Sequence, residues 1–229
     1  MWKDFVMIQY SRIFDIDQLG LKLGVQTKEI PGPDGTSRKQ LLWTPHLVKK
    51  MKDEIAREMP EDPSAEVAHR GSAPLWVMAA AVQAMYPASN TFLPPVKGVC
   101  LKVHNLTQGE INPEAGVTFD LTRAGNILYV TYYADDPSKP QLYGGGNHSY
   151  NPELIPLIKA PIAGVDTHVC LTGNSSYHVT MSIATAYFSG CKSLSIMGGG
   201  PGGEDAGYFC CVTNSPDRML GALTLPLQV

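Results

Sequence analysis

"HRGSAPLWVMAAAVQAMY", residues 69–86, and "LTGNSSYHVTMSIATAYF", residues 171–188, are the two stretches on which the reading of the fold turns. Laid over each other, they place Gly71 on Gly173, Val77 on Val179 and Tyr86 on Phe188. Each follows a run with strand character, "AEVAHRG" or "THVCLTG". Each then passes from glycine through small polar residues into an apolar stretch long enough for a helix. Glycine suits a tight turn because it adopts conformations that a Cβ forbids. The pattern predicts strand, turn and helix, written twice.

The flanking sequence repeats in the same order. "WTPHLVKKM" (43–51) matches "YNPELIPLI" (150–158): a capping Thr44 or Asn151, then Pro45 or Pro152 at the first helical position. Leu47 and Val48 then correspond to Leu154 and Ile155. Early strands are expected at "FVMIQYSRI" (5–13) and "NILYVTYYA" (126–134), late strands at "GVCLKVHN" (98–105) and "GYFCCVTN" (207–214), and a further strand at "RKQLLW" (38–43). The expected class is α+β, with two tandem open α/β sandwich units, each β-α-β-α-β-β, related by a pseudo-two-fold. Residues 1–118 form the first unit and 119–229 the second, with the boundary near 113–125.

Composition narrows the function classes. The chain has 229 residues, 44% hydrophobic and 17% charged, with formal net charge -3, which reads as a soluble globular protein. Mild acidity argues against binding duplex nucleic acid, which relies on neutralising many phosphates. No leader pattern and no apolar run of bilayer length is evident, so a cytoplasmic protein without a membrane partner is expected, as monomer or homodimer. The five cysteines include no CxxC pair, and Cys100, Cys170, Cys210 and Cys211 fall in apolar runs. Buried reduced thiols are expected, with the adjacent Cys210 and Cys211 on alternating faces of a strand.

The two turns admit two readings. First-turn N–H groups of a helix lack intrahelical partners, and Ser72 or Asn174, Ser175 and Ser176 are placed to cap them. The same donors, with the positive end of the helix dipole, make an anion site that His69 and Arg70 would strengthen. Capping is the commoner explanation of one such turn. Two turns in duplicated units favour a ligand with repeated anionic groups.

The run "HRGSAPLWVMAAAVQAM", then "GVCLKVHN" and "QGEIN", resembles the CRISPR-associated Csx-three family. Gly71, Pro74, Leu75 and Trp76 match its strand-ending turn, His104 its strand-ending histidine, and Gly109, Glu110 and Ile111 its tail. "NPELIPLIKAPIAGVDTHVCLTGNSSYHV" resembles the segment of the same family from its first helix into its second. The resemblance implies a tandem, single-chain version of a protein that otherwise assembles from separate subunits. It further implies binding of cyclic oligoadenylate, the second messenger of type III CRISPR defence, and ring-nuclease cleavage, with Mn2+ assisting some members.

Departures from that pattern mark the candidate chemistry. In place of an Asp-x-Arg loop the first half has "LPPVKG" (93–98), with Lys97 its cation. The second half has a longer loop, "GGGPGGEDAG" (198–207), and Asn214 where the strand histidine would stand. The glycine run lacks the Lys-Ser/Thr of a P-loop and precedes a strand, so it reads as a hairpin cover over the ligand or a plain surface loop. His178 stands in the place of Trp76. The catalytic candidates are His104, His178 and Lys97, with the ribose 2′-hydroxyl as nucleophile and no cofactor required. Ligand-binding candidates are His69, Arg70, Gly71, Ser72, Gly173, Asn174, Ser175, Ser176 and Asn214; Glu204 and Asp205 are the candidates for Mn2+. The alternatives are a non-catalytic sensor or sponge for the same messenger, and a two-lobed scaffold whose glycine turns are only caps.

Overall fold

Two sheets share one arrangement of four strands in the computed structural model, which describes residues 9–31, 37–62, 64–93, 100–103, 118–133, 167–173, 177–199 and 206–227. In chain order, β1 (Arg12–Asp15) leads into α1 (Ile16–Lys22), and β2 (Gln26–Pro31) and β3 (Ser37–Leu42) form an antiparallel hairpin. Next come α2 (Pro45–Glu58), β4 (Glu66–Arg70), α3 (Leu75–Met85), β5 (Ser89–Phe92) and β6 (Leu101–Val103). They are followed by β7 (Thr118–Ala124), β8 (Ile127–Tyr133), β9 (His168–Gly173), α4 (Tyr177–Thr185), β10 (Ser193–Gly199), β11 (Ala206–Thr213) and β12 (Leu223–Thr224).

The first sheet has the order β1-β4-β5-β6, with β1, β4 and β5 parallel and β6 antiparallel. The second has the order β12-β11-β10-β9-β8-β7. Within it β8, β9 and β10 are parallel and β11 antiparallel, the same sequence of directions as in the first sheet. Gly71 follows β4 and Gly173 ends β9, each at the carboxyl end of the strand between two parallel neighbours. The class is α+β.

Local chemistry explains the element starts. Thr44 accepts a hydrogen bond from the Leu47 N–H and Pro45 opens α2, as its sequence predicts. Three details differ from the expected plan. The strand expected over 5–13 begins only at Arg12, with residues 1–8 outside the described residues. The strand expected at 38–43 is β3, but α1 and β2, the hairpin partner of β3, stand unforeseen between β1 and it. The expected boundary at 113–125 holds a strand, β7, which pairs antiparallel with β8 and extends the second sheet.

The core is shared between the halves. Trp76, Val77, Met78, Ala79, Ala80, Ala81 and Val82 of α3 are all buried, as an all-round apolar helix must be. α3 packs against β10 and β11 of the second sheet, α4 packs against β6 of the first, and the two helices touch each other. The Trp76 ring lies 6.2 Å from that of Phe209, and Tyr86 meets Phe188 edge-on at 6.1 Å. One hydrophobic cluster runs from Phe14, Val48 and Val67 to Leu171, Leu194 and Val212.

The thiols follow the packing. Cys170, Cys191, Cys210 and Cys211 are buried and unpaired, whereas Cys100, expected inside, is exposed because it precedes β6 rather than lying within it. Burial pushes the Cys170 and Cys191 thiols up to about 12 and that of Cys210 up to about 11, which keeps them protonated and unreactive.

Candidate functional site

β1 and β4 run side by side so that Asp15 pairs in register with Arg70. Asp15 caps α1, its Oδ1 accepting from the Gln18 N–H at 2.9 Å. Its Oδ2 accepts from Arg70 Nε at 2.8 Å. Gly71 then takes φ +145, conformational space open to glycine, and turns the chain toward Ser72. The Ser72 N–H and Oγ donate to one oxygen, Oδ2 of Asp17, at 2.9 and 3.0 Å. The turn after β4 therefore does hold an anionic group, and that group is the chain's own carboxylate.

This corrects the capping expectation. α3 starts at Leu75 with Pro74 as its N-cap and no side-chain cap bond. A residue before proline is driven from helical conformation, so Ala73 cannot begin the helix and Ser72 stands too far back to cap it. Its donors are free to meet Asp17 instead.

A cleft of about 260 Å3 opens beside this turn. Its walls include Asp17 and Leu21 of α1, Thr27 and Ile30 of β2, Lys39 and Gln40 of β3, and the turn Ser72–Ala73–Pro74. The expected cleft lay between facing helix starts of the two halves. Among the described residues, this one is walled by the first half alone, since α1 and the β2–β3 hairpin supply most of its walls.

His69 was expected to lend charge to the anion site, and the structure corrects that too. The ring is fully buried, with Nε2 2.8 Å from the Tyr177 hydroxyl and Phe92 packed against both. Burial pushes His69 down to about 4, with Asn90 opposing, so the ring is neutral at pH 7. The bond joins β4, one residue from its carboxyl end, to the first residue of α4. A folded pKa below the unfolded value means that the unfolded chain takes up the extra proton. The stability contributed by neutral His69 is whole above about pH 6.5, is lost as the pH falls toward 4, and is flat below. Denaturant unfolding across that window should show this fall in the parent and a shallower one in His69→Gln.

The second turn is built differently. Gly173 does not need unusual backbone angles; it is crowded, since a Cβ there would stand 2.3 Å from Cζ of Tyr132. The Tyr132 hydroxyl lies 2.5 Å from Thr180 Oγ1 in the interior. Gly173 therefore makes room for an aromatic ring rather than for a tight turn.

Asn214, expected at the ligand, sits at the opposite end of its sheet, because β11 runs antiparallel and returns the chain there. Its Nδ2 donates to the Phe188 and Cys191 carbonyls at 3.0 Å, tying down the turn after α4. Nearby, His168 Nδ1 lies 2.8 Å from Ser193 Oγ, and Nε2 lies 3.4 Å from Asp217 Oδ2. The grouping looks like a nucleophile relay, but Ser193 is wholly buried and has no route to a substrate. It fastens the amino ends of β9 and β10 to the 214–218 loop.

Lys97, His104, Asn174, Ser175, Ser176, Glu204 and Asp205 lie outside the described residues; His178 is in α4 with its side chain likewise outside. Among the described residues no group of three metal-ligating side chains gathers, and no helix is long and apolar enough to cross a membrane. Asp15, Asp17, Lys39 and Tyr177 were missed as site residues. "FDID" had a signal, an aspartate at a helix start, but its partner is 55 residues away. No family model, curated protein or solved structure matches the chain.

Proposed function

We propose that the chain binds cyclic oligoadenylate at the carboxyl edge of its parallel strands, as a tandem two-unit relative of the Csx-three family, and cleaves it. The observation that carries this reading is the His69–Tyr177 hydrogen bond, which sets the turn after β4 beside the start of α4. A ligand with repeated phosphates needs such neighbouring turns. Ligands of open α/β sheets bind outside the carboxyl ends of the strands, and the turn at Ser72 follows such an end. The shared strand order of the two sheets supports two units related by a pseudo-two-fold. At about 260 Å3 the cleft at Ser72 lies just under the usual range of ligand sites of roughly 300–1,000 Å3, a size for one nucleotide of a larger ring. Cleavage is the part that the resemblance supplies, through His104, His178 and Lys97.

Titration with cyclic tri-, tetra- and hexaadenylate tests the reading. A binding ring should stabilise the protein by about 2.7 kcal/mol at a hundredfold excess over Kd, visible in thermal melts. Arg70→Ala with Ser72→Ala should weaken it by about 1–3 kcal/mol through lost charge-assisted hydrogen bonds. Unchanged affinity would move the site elsewhere, and silence toward all three rings would leave the glycine turns as scaffold. If products form, His104→Ala with His178→Ala should bind normally and cleave about a hundredfold more slowly. Binding without products favours the sensor or sponge.

A further inference from the structure

Asp17 is poorly matched to the place it occupies. Its Oδ2 takes both donors of Ser72, while its Oδ1 is buried without a hydrogen-bond partner. Among the described residues no cation pairs with it, since Arg70 is engaged by Asp15 and Lys39 serves only as cleft wall. The carboxylate packs tightly over the turn: a Cβ on Gly71 would stand 3.2 Å from Oδ1. The residue is part-exposed, yet one of its two oxygens is covered and accepts nothing, and a covered acceptor left without a donor is unfavourable.

A phosphate oxygen in the same seat would receive the same two donors. Its remaining oxygens would face the cleft that Lys39 lines, and the displaced carboxylate would gain water on Oδ1, the oxygen now covered. We propose that Asp17 is a resident stand-in for a ligand phosphate, displaced on binding, so that α1, which carries it, is the element that moves. This rests on the reading that the Ser72 turn seats ligand phosphates. The chain would exist in two exchangeable arrangements, Asp17 in and Asp17 out, with only the second competent to bind. Holding back the competent form lowers apparent affinity by its population.

The probe is inorganic pyrophosphate, titrated into the full chain while the Ser72 amide and the Asp17 side-chain carboxyl are followed by NMR. Both resonances should move in the parent protein. Asp17→Asn, which keeps the shape and removes the charge, should bind pyrophosphate about tenfold more tightly, and adding Ser72→Ala should abolish that gain. Equal or weaker binding by Asp17→Asn overturns the proposal. So does a parent protein saturated with pyrophosphate whose Asp17 carboxyl resonance has not moved, a measurement independent of whether the variant folds. A pyrophosphate gain in Asp17→Asn together with silence toward all three cyclic oligoadenylates supports the stand-in and overturns the proposed ligand.

Discussion

Trp76→Ala is expected to destabilise the protein by about 3–5 kcal/mol, the range for removing a large buried aromatic side chain. The indole is wholly buried in α3, which belongs by sequence to the first half and packs on β10 and β11 of the second. The loss should therefore register on both sides of the molecule. Amide hydrogen exchange is the measurement: protection in β4 and β5 and protection in β9 and β10 should fall together, as expected of one cooperative unit. Protection that falls in the first sheet while the second holds would show two separable cores.

Gly173→Ala should cost about 3 kcal/mol, at the top of the usual range for overpacking, because the glycine, itself exposed, lies against a buried ring. The added Cβ would stand 2.3 Å from a ring that is 1% exposed, and the hydroxyl of that ring is bound to Thr180. The ring has nowhere to retreat. Chemical denaturation in two backgrounds isolates the cause: Gly173→Ala should cost far less when Tyr132 is already alanine. An equal cost in both backgrounds would place the crowding with another neighbour.

The periodic and local parts of the fold were legible in the sequence, and the long-range parts were not. Thr44-Pro45 marks the start of α2, and "AEVAHRG" and "THVCLTG" mark β4 and β9, since strand composition and caps act over a few residues. The glycine correspondence placed Gly71 and Gly173 at matching strand ends, yet for two different physical reasons, backbone freedom in one and a neighbouring ring in the other. A glycine in a sequence does not say which. His69 read as a charged ligand because it sits next to Arg70; its partner Tyr177 is 108 residues away, and burial follows from that pairing. Asn214 was carried to the wrong end of a sheet because strand direction is a property of pairing, not of composition.

The polar groups gathered at strand ends differ between the two sheets. At the amino ends of β9 and β10, His168, Ser193 and Asn214 stitch strands and loops together through buried or part-buried polar bonds. At the carboxyl end of β4, in the first sheet, stand the Ser72 turn, the cleft and the Asp17 carboxylate. Substitutions should divide along the same axis. Change at the stitched ends is constrained by folding, and so is change at buried His69 and crowded Gly173, whereas change at the part-exposed groups around the Ser72 turn should cost the scaffold little. The exposed positions of α1, of the β2–β3 hairpin and of a single turn are therefore where this surface can be rewritten without rebuilding the core.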